Sequence, residues 1–148
     1  MQRRLDVRKP ERMWEFATFE STEAERVPSA YYIPASLKAV ADRLYAHGIR
    51  VERLDAPATA QVEVFQIEST ETAAQAFENH RERTVTGRYA SAQQTIQAGA
   101  WRVPMNQPLA RLAFYLLEPR SNDSLLTWNV LDDALKDAKT YPILRSAP

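Results

Sequence analysis

The chemically densest stretch of the chain is Glu78-Asn79-His80-Arg81-Glu82-Arg83, where an imidazole, two carboxylates and two guanidiniums share six residues. Such a set suits general acid–base chemistry, because imidazole titrates near neutrality. It also suits an anion clamp, because a guanidinium holds a planar anion through paired hydrogen bonds. An extended backbone would split the set. His80, Glu82 and Thr84 would then face one way and Arg81, Arg83 and Val85 the other. Surface charge pairing is therefore the plainer account unless the segment is irregular. An enzyme built here would rest on His80 and Glu82.

A second constellation lies at Asn106-Gln107-Pro108. Amides ahead of a helix can present themselves to a peptide or a carboxylate, but the simpler role, and the one expected here, is to cap the helix. Trp14 and Trp101 are aromatic candidates for ligand or docking contacts. The alternative for both is packing, since a single tryptophan in such a setting usually buries its ring.

Other chemistries find little support. The two histidines, His47 and His80, have Arg50 and Arg83 three residues on, so neither opens a His-x-x-Glu pair, and no His-x-x-x-His is present. His47 directly precedes Gly48, where a histidine suits the dipole at a helix C-terminus. No serine sits in a Gly-x-Ser-x-Gly turn. The glycines, Gly48, Gly87 and Gly99, stand too far apart for a phosphate-cradling loop. Absence of cysteine excludes thiol catalysis, disulfides and cysteine-ligated metals.

The elements that must position these groups can be read from periodicity. Residues 1–12 form a basic lead-in or linker, followed by Trp14, Phe16 and Phe19 on an extended arm expected to dock its aromatics on residues 13–148, the single domain. Ala30-Tyr31-Tyr32-Ile33 reads as a strand ending at Pro34. Ser36 is placed to cap a helix bearing Leu37, Val40, Ala41 and Leu44 on one face, and Gly48 to end it. Arg50–Leu54 is the next strand, which makes a parallel strand–helix–strand unit. In the strand Val62–Ile67 the apolar positions change face between Val64 and Phe65, so either both faces are covered or a bulge sits there.

Glu68–Ala76 reads as a loop or short helix, Arg83–Tyr89 as an antiparallel strand and Ser91–Thr95 as a loop. The stretch from Gly99 is the structural centre. In it Trp101, Val103 and Met105 alternate along a strand, Pro108 opens a helix, and Leu109, Leu112, Ala113, Leu116 and Leu117 follow one helix face, with only Arg111 and Glu118 charged. Asp123 or Ser124 would cap a further amphipathic helix through Leu125, Trp128, Val130, Leu131 and Leu135, and an extended tail closes the chain. The fold class is α/β or α+β, with one βαβ unit and antiparallel strands in a mixed sheet and a buried C-terminal helix.

With 148 residues, 19 basic and 19 acidic side chains, the chain has no positive excess that would mark a nucleic-acid or anionic-membrane partner. No apolar run is long enough to span a membrane and no signal-peptide core is visible. The compartment is therefore open.

Taken in series, AYYIPA, HGIRVERL, VEVFQI, RERTVTGRY and AGAWRVPMNQPLARLAFYLLEPRSNDSLLTWN resemble the region C-terminal to the catalytic domain in bacterial zinc carboxypeptidases of the carboxypeptidase A-like family. That family's zinc site uses a His-x-x-Glu pair and a later histidine, with a distant glutamate as general base. This chain lacks that pattern. The resemblance thus implies a non-catalytic accessory domain, with zinc only in a separate catalytic domain. That catalytic domain would be its partner within one polypeptide, extracytoplasmic if the peptidase is exported. The alternative is a free-standing module binding a saccharide or peptide through Trp14, Trp101, Asn106 and Gln107.

Overall fold

The structure, a computed structural model, describes residues 10–18, 20 and 24–148. Most of the expected lead-in, Phe19, and residues 21–23 lie outside them. Along the chain run β1 (Ala30–Ile33), α1 (Lys38–Ala46), β2 (Glu52–Arg53), β3 (Ala58–Thr72), β4 (Arg83–Ile96), β5 (Trp101–Pro104), α2 (Ala110–Leu117), α3 (Asp132–Leu135) and β6 (Leu144–Ser146). The strands form one sheet in the order β2-β5-β1-β6-β3-β4, with every neighbouring pair antiparallel.

The α/β class holds, with one qualification to the expected mixed sheet. Strands β1 and β2 do run the same way across α1, as a strand–helix–strand unit should. Each pairs antiparallel with β5, which lies between them. The unit is split by the strand of the central stretch, so no parallel ladder forms.

Helix α1 buries Val40, Ala41 and Leu44, as their spacing on one face requires. Leu37, rather than Ser36, occupies the N-cap, and no side chain caps the helix. Its other end is the expected one. Gly48 takes φ +76°, the Gly48 amide donates to the Tyr45 carbonyl at 2.9 Å and the Ile49 amide to the Leu44 carbonyl at 3.0 Å. These are the paired bonds of a Schellman stop, with Leu44 and Ile49 both buried.

Strands β3 and β4 are far longer than their apolar pattern: they absorb residues 68–72 of the segment expected as a loop or short helix at 68–76, leaving 73–76 as loop, and all of the loop expected at 91–95. The outer residues carry no apolar alternation because neither face is buried there. They are held by the ladder and by cross-strand pairs such as Ser69 and Thr86, whose hydroxyls lie 2.7 Å apart. The register slips between Ile67 and Ser69, so the bulge falls beyond the Val64–Phe65 position. There, both faces are covered instead. Phe65 joins the main core, while Val62 and Val64 join a second cluster. At the tip Glu78 and Asn79 adopt φ +48° and +67° between the bridged Phe77 and His80, the two positive dihedrals of a tight hairpin turn.

Helix α2 buries Ala113, Leu116 and Leu117, but Leu109 and Tyr115 are exposed, so its apolar surface is only half used by the core. The helix expected across 125–135 is confined to Asp132–Leu135. Ser124 Oγ accepts the Thr127 amide at 3.2 Å, and Asn129 takes φ +60°, which breaks the run. Leu125, Leu126, Leu131 and Leu135 still enter the core from these turns. Two of the arm aromatics, Trp14 and Phe16, do not dock and are each 88% exposed.

Candidate functional site

The polar centre of the molecule is built around Glu118, the residue that follows α2. Pro119 disfavours helical geometry in the residue before it, and Glu118 is extended, with φ −72° and ψ 128°. Its side chain is buried, 3% exposed. Tyr31 of β1 donates its hydroxyl to Oε1 at 2.5 Å and Tyr89 of β4 donates to Oε2 at 2.8 Å. Arg145 of β6 lies 3.5 Å from Oε1.

Arg145 is itself buried and joins the remaining acids. Its Nε donates to Glu63 Oε2 at 2.6 Å and its Nη1 to Glu25 Oε2 at 3.0 Å. The guanidinium carbon sits 3.3 Å from the Tyr89 ring centroid, a cation–π contact sheltered from water. Arg26 reaches Glu63 at 2.5 Å and the Ser146 carbonyl at 2.9 Å, and Arg120 pairs with Glu25. Three carboxylates thus face three guanidiniums.

The titration of these groups follows from that arrangement. For Glu25 and Glu63, burial pushes toward the neutral acid, but the hydrogen bonds and charges of their arginines outweigh it and hold both carboxyls below the ordinary range. Burial likewise opposes the charge on Arg145, yet Tyr89 and the carboxylates hold its proton more firmly than usual. Tyr31 and Tyr89 are raised above their ordinary value, first by burial and then by the charge of Glu118 and the hydrogen bond to it. Tyr141, wholly buried, is raised by burial and then by Glu118. Its hydroxyl has no hydrogen-bond partner.

A cleft of about 900 Å³ runs between Thr84–Gly87 of β4 and the Phe114–Asn122 segment, with Glu25, Glu118 and Arg120 in its wall. Glu118 accepts hydrogen bonds from Tyr31 and Tyr89 and lies at ion-pair distance from Arg145. Its side chain thus joins the sheet to the end of α2. Gly87 shows how tightly the cleft's strand is packed: a Cβ there would meet the Gln66 carbonyl oxygen at 2.0 Å.

Sequence spacing pointed elsewhere. His80 stacks on Trp128, with ring centroids 4.3 Å apart, and both ring nitrogens are buried without a partner. Arg83 pairs with Asp132 at 3.2 Å, and the Arg81 carbonyl accepts from Asn129 Nδ2 at 3.0 Å. Arg81 and Glu82 fall outside the strand, and His80 and Arg83 meet the same 128–132 segment and are not parted as simple alternation requires. The Arg81 and Glu82 residues are exposed. The dense hexapeptide is a docked hairpin tip.

Asn106 and Gln107 do not cap α2, which has Leu109 at its N-cap. Gln107 Oε1 accepts the Arg50 amide at 2.7 Å, and its Nε2 donates to the Arg50 and Pro104 carbonyls at 3.1 and 2.6 Å. Asn106 Oδ1 accepts from Arg50 at 2.9 Å. These amides tie the end of β5 to the approach to β2. Trp101 packs in the core, whereas Trp14 stands exposed, so the structure does not bring the two tryptophans and the two amides together. Among the described residues no group of three or more histidine, aspartate or glutamate side chains is placed to hold a metal ion. The Glu118 centre escaped sequence reasoning because it draws on segments spread over most of the chain. Its one local signal was a glutamate closing an apolar helix immediately before a proline.

Comparison with known proteins gives a likeness to one kind of protein. The chain is similar to a part of carboxypeptidase 2. Identity is 31% over 136 residues with carboxypeptidase 2 of Trichophyton tonsurans and 29% over 136 residues with that of Trichophyton rubrum, covering 88% of this chain and 24% of each relative. With the probable carboxypeptidase 2 of Arthroderma benhamiae it is 32% over 116 residues, covering 75% and 22%. The chain therefore spans about a quarter of the length of the curated relatives it matches. These relatives are fungal, where the resemblance named bacterial enzymes. No protein-family model matches the chain, and no solved structure does either.

Proposed function

We propose that this chain is a non-catalytic accessory domain, C-terminal in position, of a zinc carboxypeptidase-like protein. It packs on the catalytic domain or helps to present peptide or cell-wall substrates to it, and the zinc belongs to that catalytic domain. The observation that carries this reading is the likeness to carboxypeptidase 2 over 88% of the chain but 24% of the relative. The polar centre fits it, because Glu118, held by Tyr31, Tyr89 and Arg145, ties the sheet to the end of α2. Among the described residues no helix is long and apolar enough to cross a membrane; an exported parent would carry the domain outside the cytoplasm.

The test is a carboxypeptidase assay of the 148-residue chain with zinc added, alongside calorimetric zinc titration. No turnover and no stoichiometric zinc are expected. Peptide turnover that depends on bound zinc would overturn the proposal. A second reading, a module that binds a saccharide or peptide by itself, is favoured by the exposure of Trp14 and by the open cleft beside β4. It predicts saturable quenching of tryptophan fluorescence by an oligosaccharide or oligopeptide, lost in Trp14→Ala. A flat titration removes it.

A further inference from the structure

The two faces of the sheet are used unequally. Tyr31, Ile33, Phe65 and Val103 meet the buried residues of all three helices in one core. The alternate residues form a second, smaller cluster, with Val62, Val64, Ile96 and Ala100 buried and Tyr32 and Leu144 packed against them, and no helix residue takes part. Beside it opens an apolar pocket of about 280 Å³ between Tyr32, Ala35, Thr95, Ile96, Ala100 and Leu144.

The pocket's size and lining narrow its occupant. Small-molecule sites usually span roughly 300–1,000 Å³ and bring several polar groups to converge on the ligand. This one is smaller and mostly aliphatic, which suits one large apolar side chain of a protein surface. On the same face Ala92 and Ala90 stand opposite Val62 and Val64, so a second body can approach the strands closely. Arg102, opposite Tyr32, pairs with Glu52 at 2.9 Å and gives the patch a charged border, as interface rims have. The relatives indicate what would cover it: in them a stretch like this one accounts for 24% of the chain, and the rest of that chain is available to meet it.

We propose that the helix-free face docks the remainder of a carboxypeptidase-like polypeptide, which inserts a large apolar side chain into the Tyr32–Leu144 pocket. This rests on the accessory-domain reading and supplies its contact surface.

The test is to express this chain and the remainder of such a polypeptide separately and to measure their association by calorimetry. Wild type is expected to bind. Ala35→Arg and Ala90→Arg, both at exposed positions, should each weaken binding by about tenfold or more, as a charge forced into a buried contact does. Their thermal unfolding should stay unchanged, and Arg43→Glu on the outer side of α1 should bind like wild type. A complex indifferent to both arginines overturns the docking face while leaving the accessory reading intact. No complex at all overturns that reading, and this inference with it. Self-association of the wild type that either arginine abolishes would assign the face to a second copy and overturn the proposed occupant.

Discussion

The Glu118 centre and the His80 tip both place polar atoms out of water, and they treat them in opposite ways. Around Glu118, strands β1, β3, β4 and β6 each contribute a side chain, and every charge meets an opposite charge or a hydroxyl. At the tip, residues adjacent in sequence pack an imidazole against Trp128 and leave both nitrogens without partners. Local density of chemical groups did not produce a polar network, whereas scattered residues did. What separates the two is convergence: a network forms where the sheet brings distant donors to one acceptor, and a hairpin tip cannot do that.

Removing the cation that links the acids should have the largest effect. Arg145→Met takes the guanidinium away from buried Glu118 and half-buried Glu63, and such a break costs about 3–5 kcal/mol. Urea unfolding monitored by circular dichroism measures it. A loss no larger than that of an ordinary surface substitution would erase the contrast between the two regions.

Next comes pH. Glu25 and Glu63 titrate below their ordinary value of 4.5 when folded, so the unfolded chain binds more protons as the medium is acidified. The stabilisation is complete above about 4.5 and drains away as pH falls through the lower folded values. Tyr31, Tyr89 and Tyr141 work in the other direction. Folding keeps them protonated above their ordinary value of 10.0, so their contribution is complete below 10 and shrinks above it. Urea midpoints on both flanks, with tyrosinate absorbance on the alkaline one, should show this. Three of the six tyrosines should resist ionisation until the chain unfolds; if all six titrate together near 10, the centre is not closed.

A smaller effect of opposite sign is expected at the tip. His80→Phe keeps a ring against Trp128 and removes two unpartnered nitrogens, so it should be neutral or stabilising by up to about 1 kcal/mol. His80→Ala, which loses the stack, should cost roughly 0.5–1.5 kcal/mol. Equal losses in the two variants would mean that the nitrogens matter after all. Least of all, Trp14→Ser should change stability by no more than about 0.5 kcal/mol, because the ring is exposed.

Much of the fold was legible because burial imposes a period. The β1 strand, the stop at Gly48 and the alternation of Trp101 and Val103 all leave local marks. The outer halves of β3 and β4 leave none, since a solvated ladder accepts polar residues in any order. The long helix read through Leu125–Leu135 failed for a related reason: leucines at helical spacing can reach a core from turns once Asn129 leaves the helical region. The candidate site was least legible. Asn106 and Gln107 looked like caps, but the Gln107 amide substitutes for a strand partner at the Arg50 backbone and Asn106 holds the Arg50 guanidinium, and nothing in their own neighbourhood foretold it.

The position of β6 has a kinetic consequence. It is the last strand along the chain, yet it alone pairs with both β1 and β3. The β3–β4 hairpin can form from neighbouring stretches, whereas joining it to the β2-β5-β1 group requires closing a loop over most of the polypeptide, a slow step in a non-local topology. During synthesis the two half-sheets wait with raw inner edges, as open to mispairing as any unpaired strand. When β6 arrives it delivers Arg145 as well, so closing the sheet and bringing a guanidinium to buried Glu118 become a single late event.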